Sequence, residues 1–272
     1  MLRTLTVWAA RSTPEPLKRW IHNRRGLDGM VRKAFATMMR ASSDSVIIPS
    51  GPMAGIRLAV GEHISHAHIS GVYELDTLCA IDRLVAPGAI CYDLGASIGY
   101  MTLLMARKAK HVYAFEPAPH AAAEIRRQMA ANGLENYTIV PDPVSDGRRQ
   151  IQFALTDTAY GSRISEVPDG KWPVLELTTI TLDEFAASHP FPDFMKIDVE
   201  DEEGRVLARA SSILEKRKCS ICCELHSENS ARQVTGILQQ YGYRITTLDG
   251  APFQINGPVI PGCVQVIAVP LP

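Results

Sequence analysis

Apolar residues follow a helical spacing at the start of the chain and give way near residue 72 to short continuous runs. In residues 1–45, Met30, Ala34 and Met38, and Val31, Phe35 and Met39, recur every four positions. That spacing predicts a helix with Arg32, Lys33 and Arg40 on its polar side. Pro14 and Pro16 predict a helix start near Leu17, and Gly26 and Gly29 interrupt the run. The runs 46–49 and 56–60 flank Ser50-Gly51-Pro52, the pattern of a hairpin or of paired short strands. Beyond residue 72, apolar runs at 89–93, 111–115, 137–140, 194–198, 219–225, 243–248 and 263–269 are separated mainly by helical stretches at 98–109, 118–131, 202–215 and 227–241. Strands that are apolar throughout are covered on both faces, so the expected fold is α/β with a largely parallel sheet. Residues 148–183 break the alternation, and Ile151–Leu155 and Val174–Thr179 predict extra β material before the fourth core strand. The expected organisation is a basic helical segment with short β elements over residues 1–70, capping an α/β domain over residues 71–272.

Composition adds location and charge. With 46% hydrophobic and 21% charged residues the chain resembles ordinary soluble proteins. No apolar run reaches the roughly 18 residues needed to span a bilayer. The short stretch 5–10 leads into Arg11-Ser12-Thr13-Pro14 without a small-residue cleavage site, so no signal peptide is read and the expected location is cytoplasmic. Residues 1–40 hold nine basic residues against Glu15 and Asp28, a charge of +7 in a chain of net −1. That head suits a solvated helical face, with weak membrane-surface contact as the alternative; no nucleic acid partner is expected. Cys219, Cys222 and Cys223 lie in one apolar run with no second CxxC, so they read as buried strand residues and no metal site is expected. His63, His66 and His68 match no ligand spacing and read as a solvated loop.

The chemistry gathers at strand ends. In Asp93-Leu94-Gly95-Ala96-Ser97-Ile98-Gly99-Tyr100 a strand ends, the chain turns and a helix begins. Gly95 permits the tight turn and close backbone approach to a ligand, and Gly99 lets the helix pack near the sheet. The free N–H groups of the new helix suit a carboxylate or phosphate. A second strand ends in Glu116-Pro117, 23 residues after Asp93. A carboxylate there is placed to accept both ribose hydroxyls of a nucleoside. A dinucleotide fold wants a middle glycine, absent here, and Asp93 would repel a pyrophosphate while favouring the amino group of a cationic ligand. Charge therefore favours S-adenosylmethionine over NAD. An NAD-dependent oxidoreductase and a non-catalytic methyltransferase-like binding protein are the alternatives.

These residues also resemble a known family. Gly71-Val72-Tyr73-Glu74, the run from Pro87 to Tyr100, Ala114-Phe115-Glu116-Pro117, Thr181-Leu182-Asp183, Lys196-Ile197-Asp198-Val199-Glu200 and Glu224-Leu225-His226 resemble the FkbM family of methyltransferases, over roughly residues 46–270. The resemblance implies a class I methyltransferase (Rossmann-like) sheet of seven strands, the last antiparallel near 263–269, and O-methylation of a sugar or secondary-metabolite hydroxyl. It implies donor contacts at Gly95, Ala96, Ser97, Gly99, Tyr100, Glu116 and Pro117, a place near the donor for Glu74, and adenine contacts at Asp142 and Val144. The family continues its Lys-Ile-Asp-Val-Glu run with Gly-Ala-Glu, whereas this chain has Asp201-Glu202-Glu203; the added bulk and charge are expected to alter substrate choice.

Period-two alternation puts Lys196, Asp198 and Glu200 on one side of the fourth core strand. Asp198 falls at its carboxyl end and is assigned to the donor's amino group or the acceptor hydroxyl, with Lys196 as its buried ion-pair partner. Glu224 and His226 end the next strand and join Asp198 as catalytic candidates. His226 reads as a general base with a pKa near working pH, or else as a cap on the following helix.

Overall fold

The computed structural model of the chain describes residues 45–61, 63–156, 162–165, 172–255 and 263–271. The helix expected before residue 45 and the basic head at 1–40 lie outside them. Strands β1 (Ser45–Ile47) and β2 (Arg57–Ala59) pair antiparallel, as the flanking of Ser50-Gly51-Pro52 suggested. Helices α1 (His66–Ser70) and α2 (Leu75–Leu84) lead into the sheet. Next come β3 (Ile90–Leu94), α3 (Tyr100–Ala106), β4 (His111–Phe115), α4 (Pro119–Ala131) and β5 (Tyr137–Val140). The stretch that broke the alternation forms β6 (Gln150–Ala154), β7 (Arg163–Ser165) and β8 (Val174–Thr178). The chain then resumes with α5 (Leu182–Ala186), β9 (Phe194–Ile197), α6 (Glu203–Ala208), α7 (Ser211–Leu214), β10 (Ser220–Leu225), α8 (Glu228–Gln240), β11 (Tyr243–Thr247) and β12 (Val264–Pro270).

The central sheet has the order β11-β12-β10-β9-β3-β4-β5. Strand β12 runs antiparallel to both neighbours and the remaining pairings are parallel, which is the seven-stranded sheet with an antiparallel last strand that the sequence resemblance implied. Between β3 and β9 the strand order reverses, and ligands of open α/β sheets bind in the crevice outside the carboxyl ends at such a point. Alternation sorts the strand residues between two cores. Cys91, Val112, Ala114 and Cys222 pack on one face against α3 and α4, and Tyr92, Leu94, Phe115 and Cys223 on the other against α6 and α8. Cys222 and Cys223 therefore point to opposite faces. Burial pushes the Cys222 thiol up to about 12 and raises Cys219 and Cys223 too, so these are packing groups.

Strand β2 is tied to the domain by side chains rather than by a further strand. On α4, Gln128 accepts from the Ala59 N–H and donates to the Ala59 carbonyl, each at 2.8 Å. One turn on, Asn132 does the same for Arg57, at 2.9 and 2.6 Å. Two amides four residues apart thus replace a strand edge and satisfy backbone groups that would otherwise face a helix.

The single helix expected over 202–215 is two. Asp183 accepts the N–H groups of Ser211 and Ser212 at 3.1 and 2.8 Å and both hydroxyls as well, so a new helix starts there. Burial would raise the Asp183 carboxyl, but these four bonds hold it below its ordinary value.

Strands β7-β6-β8 form a separate antiparallel sheet, and its Ile151 and Phe153 pack on Ala118 and Ala121 at the start of α4. This places the inserted sheet beside the carboxyl ends of β4 and β5.

Candidate functional site

The turn after β3 is shaped by a collision it avoids. Gly95 has φ +76°, and a Cβ there would lie 1.8 Å from the Asp198 carbonyl oxygen. The glycine lets the loops after β3 and β9 touch, beyond the ligand approach expected of it. Gly99, expected to let its helix pack near the sheet, borders Ile125 of α4 instead, with the Ile125 Cα 3.2 Å from a built Cβ. The reason is that α3 and α4 are neighbours on one face of the sheet.

Glu116 follows β4 and is nearly enclosed. Its two oxygens accept the N–H groups of Ser97 at 2.7 Å and Ala118 at 2.8 Å. Burial pushes its carboxyl up to about 7 against the pull of those two bonds. Each oxygen keeps a second lone-pair site, so the group can accept two more donors. Beside it lies a cleft open to solvent, with Gly95, Glu116, Pro117, Asp142, Val144 and Asp198 among its lining residues. Six sequence-read residues thus meet in one cavity. The spacing arguments missed Phe153, Arg163 and Ile164, which the inserted sheet contributes to the same wall. No local signal points to them, because strands β6 and β7 reach the cavity only through tertiary packing.

At the other end of the cavity, Lys196 holds Asp198 at 2.8 Å and donates to the Gly95 carbonyl at 3.2 Å. Burial opposes the Lys196 charge, but Asp198, Asp93 and Glu74 outweigh it and hold the ammonium above its ordinary value. Parallel pairing of β9 with β10 brings His226 alongside, its Nε2 3.5 Å from Asp198 Oδ1, 3.8 Å from Glu200 and 3.9 Å from Glu224. Its Nδ1 lies 2.8 Å from fully buried Glu203. Burial alone would lower this imidazole; the Glu203 hydrogen bond and the charges of Glu203, Asp198 and Glu200 push it up to about 9. The structure therefore corrects the expectation of a pKa near working pH: the ring is charged at neutral pH while these carboxylates face it.

Other candidates sit elsewhere. Asp93 is fully enclosed beneath the turn; Oδ2 accepts from Thr102 at 2.5 Å, and Oδ1 has no hydrogen-bond partner. Ala96 is buried, and Ser97 (φ 51°) serves the turn through its N–H to Glu116. Tyr100, expected to touch the donor, is buried with its hydroxyl donating to the His68 carbonyl at 3.0 Å. His68 in turn stacks on Tyr73 at 3.9 Å and is itself buried. The solvated-histidine reading is thus wrong for His68, because α1 folds it onto an aromatic cluster. Glu74, at φ 44°, accepts from Gln265 at 3.1 Å, and burial raises its carboxyl.

The departure Asp201-Glu202 divides. Asp201 is exposed at φ 78°, a conformation suited to glycine. Glu202 lines the cavity but accepts from buried Ser145 at 2.5 Å, with Arg149 at 3.6 Å and Arg205 at 3.7 Å. Its charge is spent on that network. Glu202→Ala should lower stability by about 1–3 kcal/mol through loss of the charge-assisted bond from buried Ser145; unchanged urea unfolding would show that this bond contributes nothing.

Comparison with known proteins bears on this geometry. The sequence profile described as Methyltransferase FkbM domain matches residues 93–245. The 31-O-demethyl-FK506 methyltransferase FkbM of Streptomyces tacrolimicus is 23% identical over 231 residues, covering 70% of this chain and 88% of that protein. A tRNA wybutosine-synthesizing protein 2 homolog of Danio rerio is 31% identical over 158 residues, covering 52% of this chain; the chain spans only 37% of that relative's length. Among solved structures, Methyltransferase FkbM from Methylobacillus flagellatus aligns with a TM-score of 0.44 at 14% identity, covering 75% of this chain and 53% of that one.

Proposed function

The chain belongs to the FkbM methyltransferase family, and from that premise we propose that it transfers a methyl group from S-adenosylmethionine to a hydroxyl of a sugar or secondary-metabolite small molecule. Family membership sets aside the oxidoreductase alternative. The observation that carries the reading is that one cavity is lined by both Glu116 and Asp198, so a nucleoside bound at the first reaches the second. When bound, S-adenosylmethionine supplies an electrophilic methyl carbon on a sulfonium.

The chain's own residues do the rest. Glu116 accepts the ribose hydroxyls, Asp142 and Val144 border the adenine, and Phe153 and Ile164 exclude water from that end. Asp198, fixed by Lys196 from one side and facing His226 on the other, takes the acceptor's proton as the new carbon–oxygen bond forms. The charged His226 steadies Asp198 rather than acting as the base. Alignment of acceptor and donor supplies much of the acceleration, and the base adds about 10²–10⁴-fold.

The name of the Streptomyces relative, an O-demethyl substrate's methyltransferase, supports an oxygen acceptor. The Danio relative makes RNA the competing class. The carboxylates of Asp198, Glu200 and Glu224 disfavour a phosphate backbone at the transfer point. No helix among the described residues is long and apolar enough to cross a membrane.

Labelled donor, native metabolites and bulk tRNA in parallel test the reading. Mass gain is expected in a hydroxylated metabolite; label in tRNA alone overturns the acceptor class, and donor binding without transfer to anything leaves the binding-protein alternative. Asp198→Asn should keep donor affinity within about tenfold while lowering turnover by about 10²–10⁴-fold; full turnover would remove Asp198 as the base.

A further inference from the structure

His226 does more than face Asp198. Strand β10 pairs antiparallel with β12 so that Leu225 lies opposite Val264, and the next step of that register sets His226 opposite Cys263. A carboxylate oxygen of Glu224, an imidazole nitrogen of His226 and the Cys263 sulfur all lie within 4.8 Å of one another. From this convergence we infer that the carboxyl end of β10 is a binding site for one zinc-class divalent cation, held by Glu224, His226 and Cys263.

Two of the three ligands already have the support such a site needs. Metal-bound histidines are oriented by a carboxylate on the other ring nitrogen, and His226 Nδ1 has Glu203 at 2.8 Å, so the cation displaces the Nε2 proton to solvent and takes that nitrogen's lone pair, replacing the imidazolium of the metal-free protein. Glu203 is itself anchored, accepting from Ser230 at 2.6 Å and from the Asp201 N–H at 3.2 Å. On Glu224, Oε2 accepts from Gln265 at 2.8 Å while Oε1 is the oxygen nearer His226 Nε2. Glu200 and Asp201 hold consecutive left-handed backbone conformations at φ 53° and 78°, a strain that tends to mark functional sites. Glu200 thereby comes within 3.8 Å of His226 Nε2, adding negative charge where a cation would sit.

The donor set selects the metal. Thiolate, imidazole and carboxylate together suit zinc and its neighbours rather than magnesium or calcium, which take oxygen ligands. Three protein ligands leave a fourth position open, as in catalytic zinc sites. Asp198 Oδ1 lies 3.5 Å from the same Nε2. On the methyltransferase reading, which this part of the inference rests on, the fourth position takes the acceptor oxygen. The cation lowers the hydroxyl's pKa and its proton passes to Asp198. The oxygen lone pair then forms the bond to the methyl carbon, the carbon–sulfur bond breaks, and the sulfur leaves as a neutral thioether. The sequence reading expected no metal, and no local spacing joins these ligands, because 36 residues lie between His226 and Cys263.

The full chain, stripped with chelator and titrated with Zn²⁺ and with Co²⁺, tests the inference. One equivalent per chain is expected by calorimetry and elemental analysis. Cobalt should give a thiolate charge-transfer band that Cys263→Ser abolishes, and His226→Gln should weaken binding at least about tenfold. Absence of cation binding, or binding unchanged in both variants, overturns the site and leaves an imidazolium–carboxylate network. Full transfer by stripped protein overturns the acceptor role. Donor affinity measured on the same stripped samples separates either failure from a failure of the methyltransferase reading itself.

Discussion

Glu116→Ala is expected to weaken S-adenosylmethionine binding by at least about a hundredfold. Hydrogen bonds to a charged group contribute about 1.5–3 kcal/mol each, and two ribose hydroxyls would lose their acceptor. The same change strands the N–H groups of Ser97 and Ala118, so Glu116→Gln serves beside it as a variant that keeps an acceptor for the turn. The pH dependence identifies the group. Burial raises this carboxyl to about 7, and accepting four donors suits the ionised form. Lowering the pH from 8 to 6 should therefore weaken donor binding about tenfold, and Glu116→Gln should flatten the profile. Calorimetry at both pH values decides; a pH-independent wild-type affinity would take Glu116 off the ribose. Stability runs the other way without donor. Because the folded pKa lies above the ordinary 4.5, the folded state holds this proton more tightly. The stabilisation is full below about 4.5 and is lost as pH rises through about 7, on the order of 3 kcal/mol.

Gly95→Ala is expected to cost several kcal/mol, enough to lower the melting temperature by about 10 °C or more. Two terms add. An L-residue at φ +76° costs about 1–2 kcal/mol, and the new Cβ would sit 1.8 Å from the Asp198 carbonyl oxygen. Neither atom belongs to a flexible side chain, so the loops after β3 and β9 must part, and the Lys196 bond to the Gly95 carbonyl goes with them. Gly88 isolates the first term, since it has φ +80° with nothing within 4 Å of a built Cβ. Thermal unfolding of Gly88→Ala and Gly95→Ala should differ markedly. Equal shifts would show that the close approach of the two loops contributes nothing.

Much of the frame was legible in the chain. Apolar runs such as 111–115 and 219–225 marked the strands, and their lack of alternation marked a sheet covered on both faces. Boundaries moved by a residue or two, as at β3, which runs Ile90–Leu94. Glu116 was legible because a carboxylate just past a strand end, a fixed distance after a glycine turn, is a local arrangement. Lys196 and Asp198 were legible as a pair through period-two spacing along one strand.

What depended on neighbours across the fold was not. Periodicity reports which face of an element is buried, but not what buries it. Gly99 therefore read as a sheet contact and proved to border Ile125. His68 read as solvated because its aromatic partners are supplied by α1 folding back on Tyr73 and Tyr100. The break at Arg209 depends on Asp183, which captures the N–H groups of Ser211 and Ser212. His226 is pushed up to about 9 because Glu203, Asp198 and Glu200 arrive together on the one connection from β9 into α6. Cys263 meets His226 only through the register of an antiparallel strand. The sequence by itself determined the strands, the glycine turn and the carboxylate after the second strand, because each is set by interactions within one or two elements. Only the tertiary structure decided the electrostatics of the transfer point, because charge acts through space and sheet order sets which charges meet.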